Sequence, residues 1–167
     1  GPHHPSYIPE PYASMYDPAD IELWPNFVDE LADKPPVHDR YRRSFYHEHV
    51  EFSEADWQAL IAKYWGYCSF IDAEIGKLLE TLDDSGLAAE TAIVFTTDHG
   101  DMTGAHGGLL DKGEFMYEET DHIPLLARVP GVAAAGSVCN ALVSNMDIAS
   151  TALDLAGLPV PSAHQGR

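Results

Sequence analysis

TAIVFTTDHGDMTGAHGGLLDKG, residues Thr91–Gly113, is the stretch that decides the fold of this chain. Its first part, the apolar and β-branched run at 92–96, is typical of a buried parallel strand. The run stops just before Asp98 and His99, two potential metal ligands that precede Gly100. In open α/β sheets, ligands bind outside the carboxyl ends of the strands. We therefore expect a functional site where this strand ends.

The two residues after the strand can share a cation only if the chain turns. Neighbouring side chains of a strand point to opposite faces, so Asp98 and His99 would diverge in an extended backbone. Gly100 permits the turn that removes this obstacle. A carboxylate suits a hard cation, and an imidazole nitrogen widens the choice to transition metals. This short motif leaves an alternative open, in which Asp98 caps the turn and His99 packs against it.

A longer stretch, residues 98–131, resembles the sulfatase family of the alkaline phosphatase-like superfamily. It reads DHGDMTGAHGGLLDKGEFMYEETDHIPLLARVPG and leads into a second apolar run. The resemblance implies that Asp98 and His99 ligate a divalent cation, usually calcium in this family, with Mn²⁺ or another divalent metal as alternatives. It also implies that Lys112 is catalytic and contacts the sulfate.

Both ends of the chain extend the resemblance. GPHHPSYIPEPYASMYDP at 1–18 is similar to the family's PHxP segment, in which a histidine before a proline lies in the active site. The resemblance implies that His3 binds substrate and protonates the leaving oxygen, and His4 is its immediate rival for substrate binding. HQGR at 164–167 is similar to the start of the family's QGRSL segment.

Other parts of the family's active site are missing from the sequence. The family nucleophile is a formylglycine made from the Cys or Ser of a C-x-P-S-R-like motif, and neither Cys68 nor Cys139 has that context. The family's early Asp-Asp pair is also absent, because Asp83-Asp84 closes a predicted helix. We therefore expect residues 1–167 to be the C-terminal part of a sulfatase catalytic domain. The formylglycine would come from outside this chain, which alone would be inactive.

Local patterns predict the elements of an α/β fold. Repeated prolines make residues 1–52 an irregular active-site or connecting segment, followed by an α/β portion at 53–167. Ser53 is the expected N-cap of a long helix that packs on the sheet and ends at Gly86. Its apolar residues recur in steps of three and four and predict one buried face, with Cys68 on it.

After the site motif, the sequence continues to alternate strands and helices. Apolar runs predict a second buried strand at 123–129 and a short third strand at 142–143, and a helix follows at 146–156. The alternation favours a mainly parallel sheet. Together with the resemblance, it predicts part of an α/β three-layer sandwich of the alkaline phosphatase-like type.

Composition limits the partners of the chain. A net charge of −18 argues against nucleic acid, whose binding requires basic residues that neutralise phosphates. No apolar run approaches the ~20 residues needed to cross a bilayer, so we expect no membrane partner. The compartment (cytoplasmic, periplasmic or secreted) and the oligomeric state stay open.

The resemblance implies a sulfuric ester hydrolase that cleaves a small-molecule or carbohydrate sulfate ester. A phosphonate monoester or phosphodiester hydrolase of the same superfamily is an alternative, because its metal stretch also reads DHGDM with a following DKG. A non-catalytic metal-binding module is a third possibility. Within the motif, we expect Asp101 to hold His99 or the loop, and His106 to order the loop through hydrogen bonds.

Overall fold

A computed structural model describes residues 2–44, 51–132 and 134–166. The chain forms two compact units, Gly1–Pro130 and Gly131–Arg167. The first unit contains helices α1 (Pro36–Ser44), α2 (Glu54–Asp84), α3 (Ala105–Gly108) and α4 (Glu118–Asp121), strands β1 (Ile93–Thr96) and β2 (Leu125–Arg128), and 3₁₀ turns at Tyr12–Ser14, Pro18–Asp20 and Ala88–Glu90. The second unit contains α5 (Met146–Leu155).

Helix α2 begins and ends where the sequence predicts. The Ser53 hydroxyl accepts a hydrogen bond from the Asp56 backbone N–H at 3.3 Å, and the Asp56 carboxylate accepts one from the Ser53 N–H at 2.9 Å. This reciprocal capping box satisfies N–H groups that the first turn leaves without helical partners. Gly86 follows the last turn with a φ of +73°, the left-handed conformation common after a helix.

The apolar face of α2 is buried in its first half only. Trp57, Ile61 and Gly66 are buried, whereas Leu78 and Cys68 are exposed. The prediction of one buried face along the whole helix, with Cys68 on it, is therefore wrong for the second half. The helix packs against the 3₁₀ turns of the N-terminal segment rather than lying along a broad sheet, and those turns are too short to cover all of it.

The two strands form a small antiparallel sheet. Ile93 lies opposite Arg128 and Thr96 lies opposite Leu125. The prediction of a buried parallel strand is wrong for this pair, because the connection from β1 to β2 contains only the short helices α3 and α4 and no long crossover helix. Strand β1 is half-exposed and β2 is exposed throughout, and no third strand pairs with them among the described residues.

The core of the first unit involves the loop after β1 and the N-terminal segment. Two clusters of buried apolar residues are present: Leu31, Met102, Ala105 and Leu109 in one, and Ile21, Ile61 and Ala62 in the other. Trp24 packs against both clusters, and its indole N–H donates to the Thr103 carbonyl at 2.9 Å. The described residues at 2–44 and 51–52 are mostly irregular as predicted, with α1 and the 3₁₀ turns as the exceptions.

The second unit confirms one of its two predicted elements. The predicted helix is α5, whose first turn is held by the Ser144 hydroxyl, which accepts from the Met146 N–H at 3.3 Å. The predicted strand at 142–143 is wrong: these residues are exposed and pair with no strand among residues 134–166. In the described part of the chain, no helix has the length and apolar character needed to cross a membrane.

Candidate active site

The residues predicted to do chemistry lie on or next to one loop, residues 99–113, which we call the site loop. It is folded back on itself by backbone hydrogen bonds from Met102 N–H to the Asp111 carbonyl at 3.0 Å and from Gly104 N–H to the Leu109 carbonyl at 2.7 Å. Thr103, His106 and Asp111 adopt positive φ angles, which non-glycine residues adopt infrequently. The loop is therefore held in one tight, unusual conformation.

Asp98 and His99 lie together at the point where β1 gives way to the site loop. The Asp98 Oδ2 atom is 3.6 Å from the His99 Nε2 atom. The His99 Nδ1–H donates to the Gly100 carbonyl at 2.7 Å, which leaves Nε2 as the nitrogen that can bind a cation. Desolvation raises the pKa of Asp98 slightly, but hydrogen bonds from backbone N–H groups and from the Thr97 hydroxyl lower it below its ordinary value. The carboxylate is therefore ionised at neutral pH.

This pair supplies two ligands of the kinds that a divalent cation takes. At oxygen-ligand bond lengths near 2.4 Å, two adjacent ligands of one cation lie about 3.4 Å apart, close to the Asp98–His99 separation. A histidine that ligates a metal usually donates its other ring N–H to a carbonyl or carboxylate, as His99 does. Asp98 and His99 therefore fit the cation that the sequence motif implies.

His3 reaches the same place from the other end of the chain. Its ring contacts the His99 ring edge-on, with 5.7 Å between the centroids. The His3 Nδ1–H donates to the His4 carbonyl at 2.7 Å, and Nε2 faces the Asp111 carboxylate at 3.6 Å. The predicted general acid thus lies beside a predicted metal ligand, although 96 positions separate them.

Asp111 is the residue around which the site is assembled. Its carboxylate Oδ1 is 3.7 Å from the Lys112 ammonium, in addition to its contact with His3. One potential ligand atom from each of His3, His99 and Asp111 lies within 4.8 Å of the others, so these three side chains could also hold a metal ion. The structure thus brings His3, His99 and Lys112 around one buried carboxylate, and Asp98 joins them through His99.

His4 and Asp101 form a second pair, deeper than the first. The His4 Nε2 atom is 3.9 Å from the Asp101 carboxylate, and both side chains are largely buried. The Asp101 Oδ1 atom accepts hydrogen bonds from the backbone N–H groups of Thr103 at 2.8 Å and Asp111 at 3.1 Å. Burial raises the pKa of Asp101, and the nearby Asp111 charge adds to that rise. Asp101 therefore holds the loop, one of the two roles that the sequence suggested.

His106 also orders the site loop as predicted. Its Nε2 is 3.1 Å from a carboxylate oxygen of Glu119, and its ring stacks on Tyr117 with 3.7 Å between centroids. The Asn26 amide lies within 3.4 Å of both His106 and Glu119. These contacts connect the site loop to α4 and to the N-terminal segment.

Sequence reasoning selected four residues that the structure brings together, and it missed Asp111. His3, Asp98, His99 and Lys112 form a group connected through Asp111, whereas the His4 ring faces Asp101 and only the His4 carbonyl reaches His3. The assignment of substrate binding to His4 stays a prediction. The signal for Asp111 was its place beside Lys112 in a glycine-rich loop, a pattern that is ambiguous without the folded backbone.

Comparison with known proteins identifies the family of the chain. A sequence model of the sulfatase family matches residues 1–158. An N-acetylglucosamine-6-O-sulfatase from Bacteroides thetaiotaomicron is 36% identical over 140 residues, which cover 78% of this chain and 25% of the relative. Arylsulfatase K from Bos taurus is 32% identical over 151 residues, covering 90% of this chain and 26% of the relative. The chain thus spans about a quarter of the length of these curated relatives.

Solved structures show the same fold. A phosphonate monoester hydrolase from Silicibacter pomeroyi superposes with a TM-score of 0.82 at 34% identity, over 95% of this chain and 33% of that one. A protein solved with its substrate D-glucosamine-2-N,6-O-disulfate superposes with a TM-score of 0.65 at 34% identity, over 78% of this chain and 27% of that one. The predicted fold class is confirmed, and the small sheet described above is part of it. The chain belongs to the sulfatase family and has the alkaline phosphatase-like fold.

Proposed function

We propose that this chain is the C-terminal part of the catalytic domain of a sulfuric ester hydrolase. Residues 1–52 would be the active-site and connecting segment, and residues 53–167 the α/β portion. The family match over residues 1–158 supports this proposal, as does the similarity to sulfatases over three quarters or more of the chain. The formylglycine nucleophile and the other metal carboxylates would come from outside this chain.

The observation that carries the proposal is the convergence of His3, His99 and Lys112 on one carboxylate. Hydrolysis of a sulfate ester needs a cation site, a positive group for the non-bridging oxygens and an acid for the leaving oxygen. His99, Lys112 and His3 are the residues that the family resemblance implies for these tasks. Their assembly from distant parts of the chain supports a shared active site.

In the proposed reaction, each residue acts on a different part of the ester. The Lys112 ammonium binds the non-bridging oxygens and stabilises the charge that they carry in the transition state. The His3 Nε2–H donates its proton to the leaving oxygen, while Nδ1 stays bound to the His4 carbonyl. Asp98 and His99 would hold the cation, calcium by family resemblance, which supplies Lewis-acid polarisation when bound.

The names and bound ligands of the relatives support a proposal for the substrate class. One curated relative is named for sulfate at the 6-oxygen of N-acetylglucosamine, and one solved neighbour holds a disulfated glucosamine. We propose a carbohydrate or small-molecule sulfate ester as the substrate. The net charge of −18 gives no general attraction for such an anion, so the cation and Lys112 would have to hold it locally.

Turnover of sulfate esters by the full-length protein tests the proposal. We expect release of sulfate from 4-nitrophenyl sulfate or a glucosamine 6-sulfate, and loss of that activity after treatment with a chelator. For the variant Lys112→Ala, Lys77→Ala is the matched control, because it also removes one positive charge. Lys77 pairs with Glu74 on the exposed face of α2. Full activity in metal-free protein would contradict the cation's role, and no turnover of any sulfate ester would contradict the proposed function.

A phosphonate monoester hydrolase is the second candidate. It is favoured by the TM-score of 0.82 with the Silicibacter pomeroyi enzyme. Sulfate and phosphonate esters have similar size and geometry, so the residues described here serve either. The ratio of kcat/KM values for 4-nitrophenyl sulfate and 4-nitrophenyl phenylphosphonate separates the two activities: a ratio well above one supports the sulfatase, and a ratio well below one supports the alternative.

A further inference from the structure

We infer that Asp111 is a positioning residue that holds the catalytic His3 and Lys112 side chains in register with each other. The inference rests on the proposed function, since it assigns Asp111 a role in the same site. Its carboxylate is buried, and a single oxygen, Oδ1, faces both the His3 Nε2 atom at 3.6 Å and the Lys112 Nζ atom at 3.7 Å. A buried negative charge thus lies between His3 and Lys112, the two groups that would contact opposite ends of the ester.

The position of this carboxylate is set by the backbone. Asp111 has a φ of +61°, and both of its backbone polar groups are bonded: its N–H donates to Asp101 at 3.1 Å and its carbonyl accepts from Met102 at 3.0 Å. An aspartate tolerates this left-handed conformation better than most residues but still at a cost. Conformations of this kind persist where the surrounding structure over-determines them, and they cluster at functional sites.

Both partners of Asp111 need an external constraint. Lys112 carries its ammonium on a flexible four-carbon stem and is partly exposed, so by itself the side chain would populate many rotamers. His3 lies near the start of the described chain and is half-exposed, with its ring fixed on one edge by the His4 carbonyl. The Asp111 charge attracts the other edge of that ring and the lysine ammonium towards the same point.

Asp111→Asn in the full-length protein is the variant that tests this role. Asparagine also adopts positive φ readily and keeps the side-chain shape, so the backbone of the site loop is retained while the charge is lost. The matched control is Asp121→Asn, an exposed aspartate at the end of α4. Rates are compared for 4-nitrophenyl sulfate, whose leaving group needs little protonation, and for an alkyl sulfate, whose leaving group needs full protonation.

We expect Asp111→Asn to lower kcat for the alkyl sulfate by ~10–100-fold, the range for residues that orient catalytic groups. The loss should be smaller for the aryl sulfate, because misplacing His3 matters less there. KM should rise for both substrates, since both need Lys112. Metal content and the unfolding midpoint should match those of the Asp121→Asn control.

Three results would overturn the inference in an active enzyme. Kinetics equal to the control would show that Asp111 does not position either group. Equal losses for the two substrates would show a general structural effect. Loss of bound metal together with activity would make Asp111 a metal ligand, as its distance to His3 and His99 also permits. A wild-type protein without sulfatase activity would instead refute the proposed function, and this inference with it.

Discussion

The site loop is buried and the two strands beside it are exposed, which is the reverse of the usual arrangement. Met102 and Leu109, in the loop, are 0% exposed, whereas Phe95 in β1 is 39% exposed and Leu126 in β2 is 61% exposed. Loops normally run over the surface, because a buried loop must satisfy its backbone polar groups without a ladder. Here the loop provides those partners itself, through its internal backbone hydrogen bonds and the Asp101 carboxylate.

In this region the buried apolar side chains therefore belong to the site loop and not to the two strands. The strands carry apolar side chains but have little to pack against within the described residues. The loop contains small residues and glycines, and Trp24 and Asn26 of the N-terminal segment contact it. Asp111, to which we assign a positioning role, is buried in the loop, whereas Asp98, which we propose as a metal ligand, is exposed at its edge.

We expect the largest effect on activity from a substitution of Asp98, which lies at the boundary between β1 and the site loop. Its side chain is 80% exposed, so Asp98→Ala should change the unfolding midpoint of the metal-free protein little. Loss of a charged ligand should remove both metal loading and detectable sulfatase activity. Metal analysis and turnover of an aryl sulfate by the full-length protein measure these effects. Equal metal affinity in wild type and variant would exclude Asp98 as a ligand.

Lys112 should give the next largest effect. Lys112→Ala removes one preorganised positive group, and we expect kcat to fall by ~10²–10³-fold with a rise in KM. Metal content should be preserved, because a protonated lysine is not a ligand. Arginine at this position should restore little, since its planar fork does not reproduce a compact charge. Retention of full activity in Lys112→Ala would show that other groups hold the sulfate.

A pair of leucines measures the difference in burial directly. Leu109→Ala, in the site loop, should lower the free energy of unfolding by about 2–5 kcal/mol, as expected when a cavity forms in a packed core. Leu126→Ala, in β2, should cost less than about 0.5 kcal/mol. Urea unfolding of both variants tests the contrast. Equal losses of unfolding free energy in the two variants would mean that other parts of the full-length protein cover β2.

The smallest effect should come from the N-cap of α2, the helix that places the Trp57 ring against Gly104 and Gly108. Hydrogen bonds from the Ser53 hydroxyl and backbone lower the pKa of Asp56 below its ordinary value of 3.8. A lowered pKa means that the stabilisation is present above that value and disappears as the pH falls through the folded-state pKa. Ser53→Ala should therefore lower the unfolding midpoint by a few degrees at pH 7 and by less in strong acid, where only the bond from the Asp56 N–H to the Ser53 hydroxyl is lost. An equal loss at both pH values would show that the Asp56 charge contributes nothing to the cap.

Local signals in the sequence were sufficient for helices α2 and α5 and for the positions of β1 and β2, but they did not predict α1, α3 or α4. Ser53 and Gly86 delimit α2 because capping is decided by neighbouring residues alone. The same holds for α5, which stops before Gly157. The pairing direction of β1 and β2, and their exposure, depend on which elements cover them, so no pattern within each strand could reveal them.

The site shows the same division between local and long-range information. Resemblance to the sulfatases selected His3, Asp98, His99 and Lys112, and the fold brings them into one connected group. The sequence did not predict a role for Asp111, because aspartate is a common residue in glycine-rich turns. Its importance comes from contacts with His3 and Lys112 that exist only after the N-terminal segment has folded against the site loop.

At two glycines of the site loop, the backbone packs directly against the backbone of another segment. A methyl group on Gly100 would collide with the Glu119 carbonyl, and one on Gly107 would collide with the Asp29 carbonyl. Neither obstacle is a side chain that could swing aside, so random mutagenesis should yield few functional changes at these two positions. A library built to broaden the range of accepted esters should leave both glycines untouched.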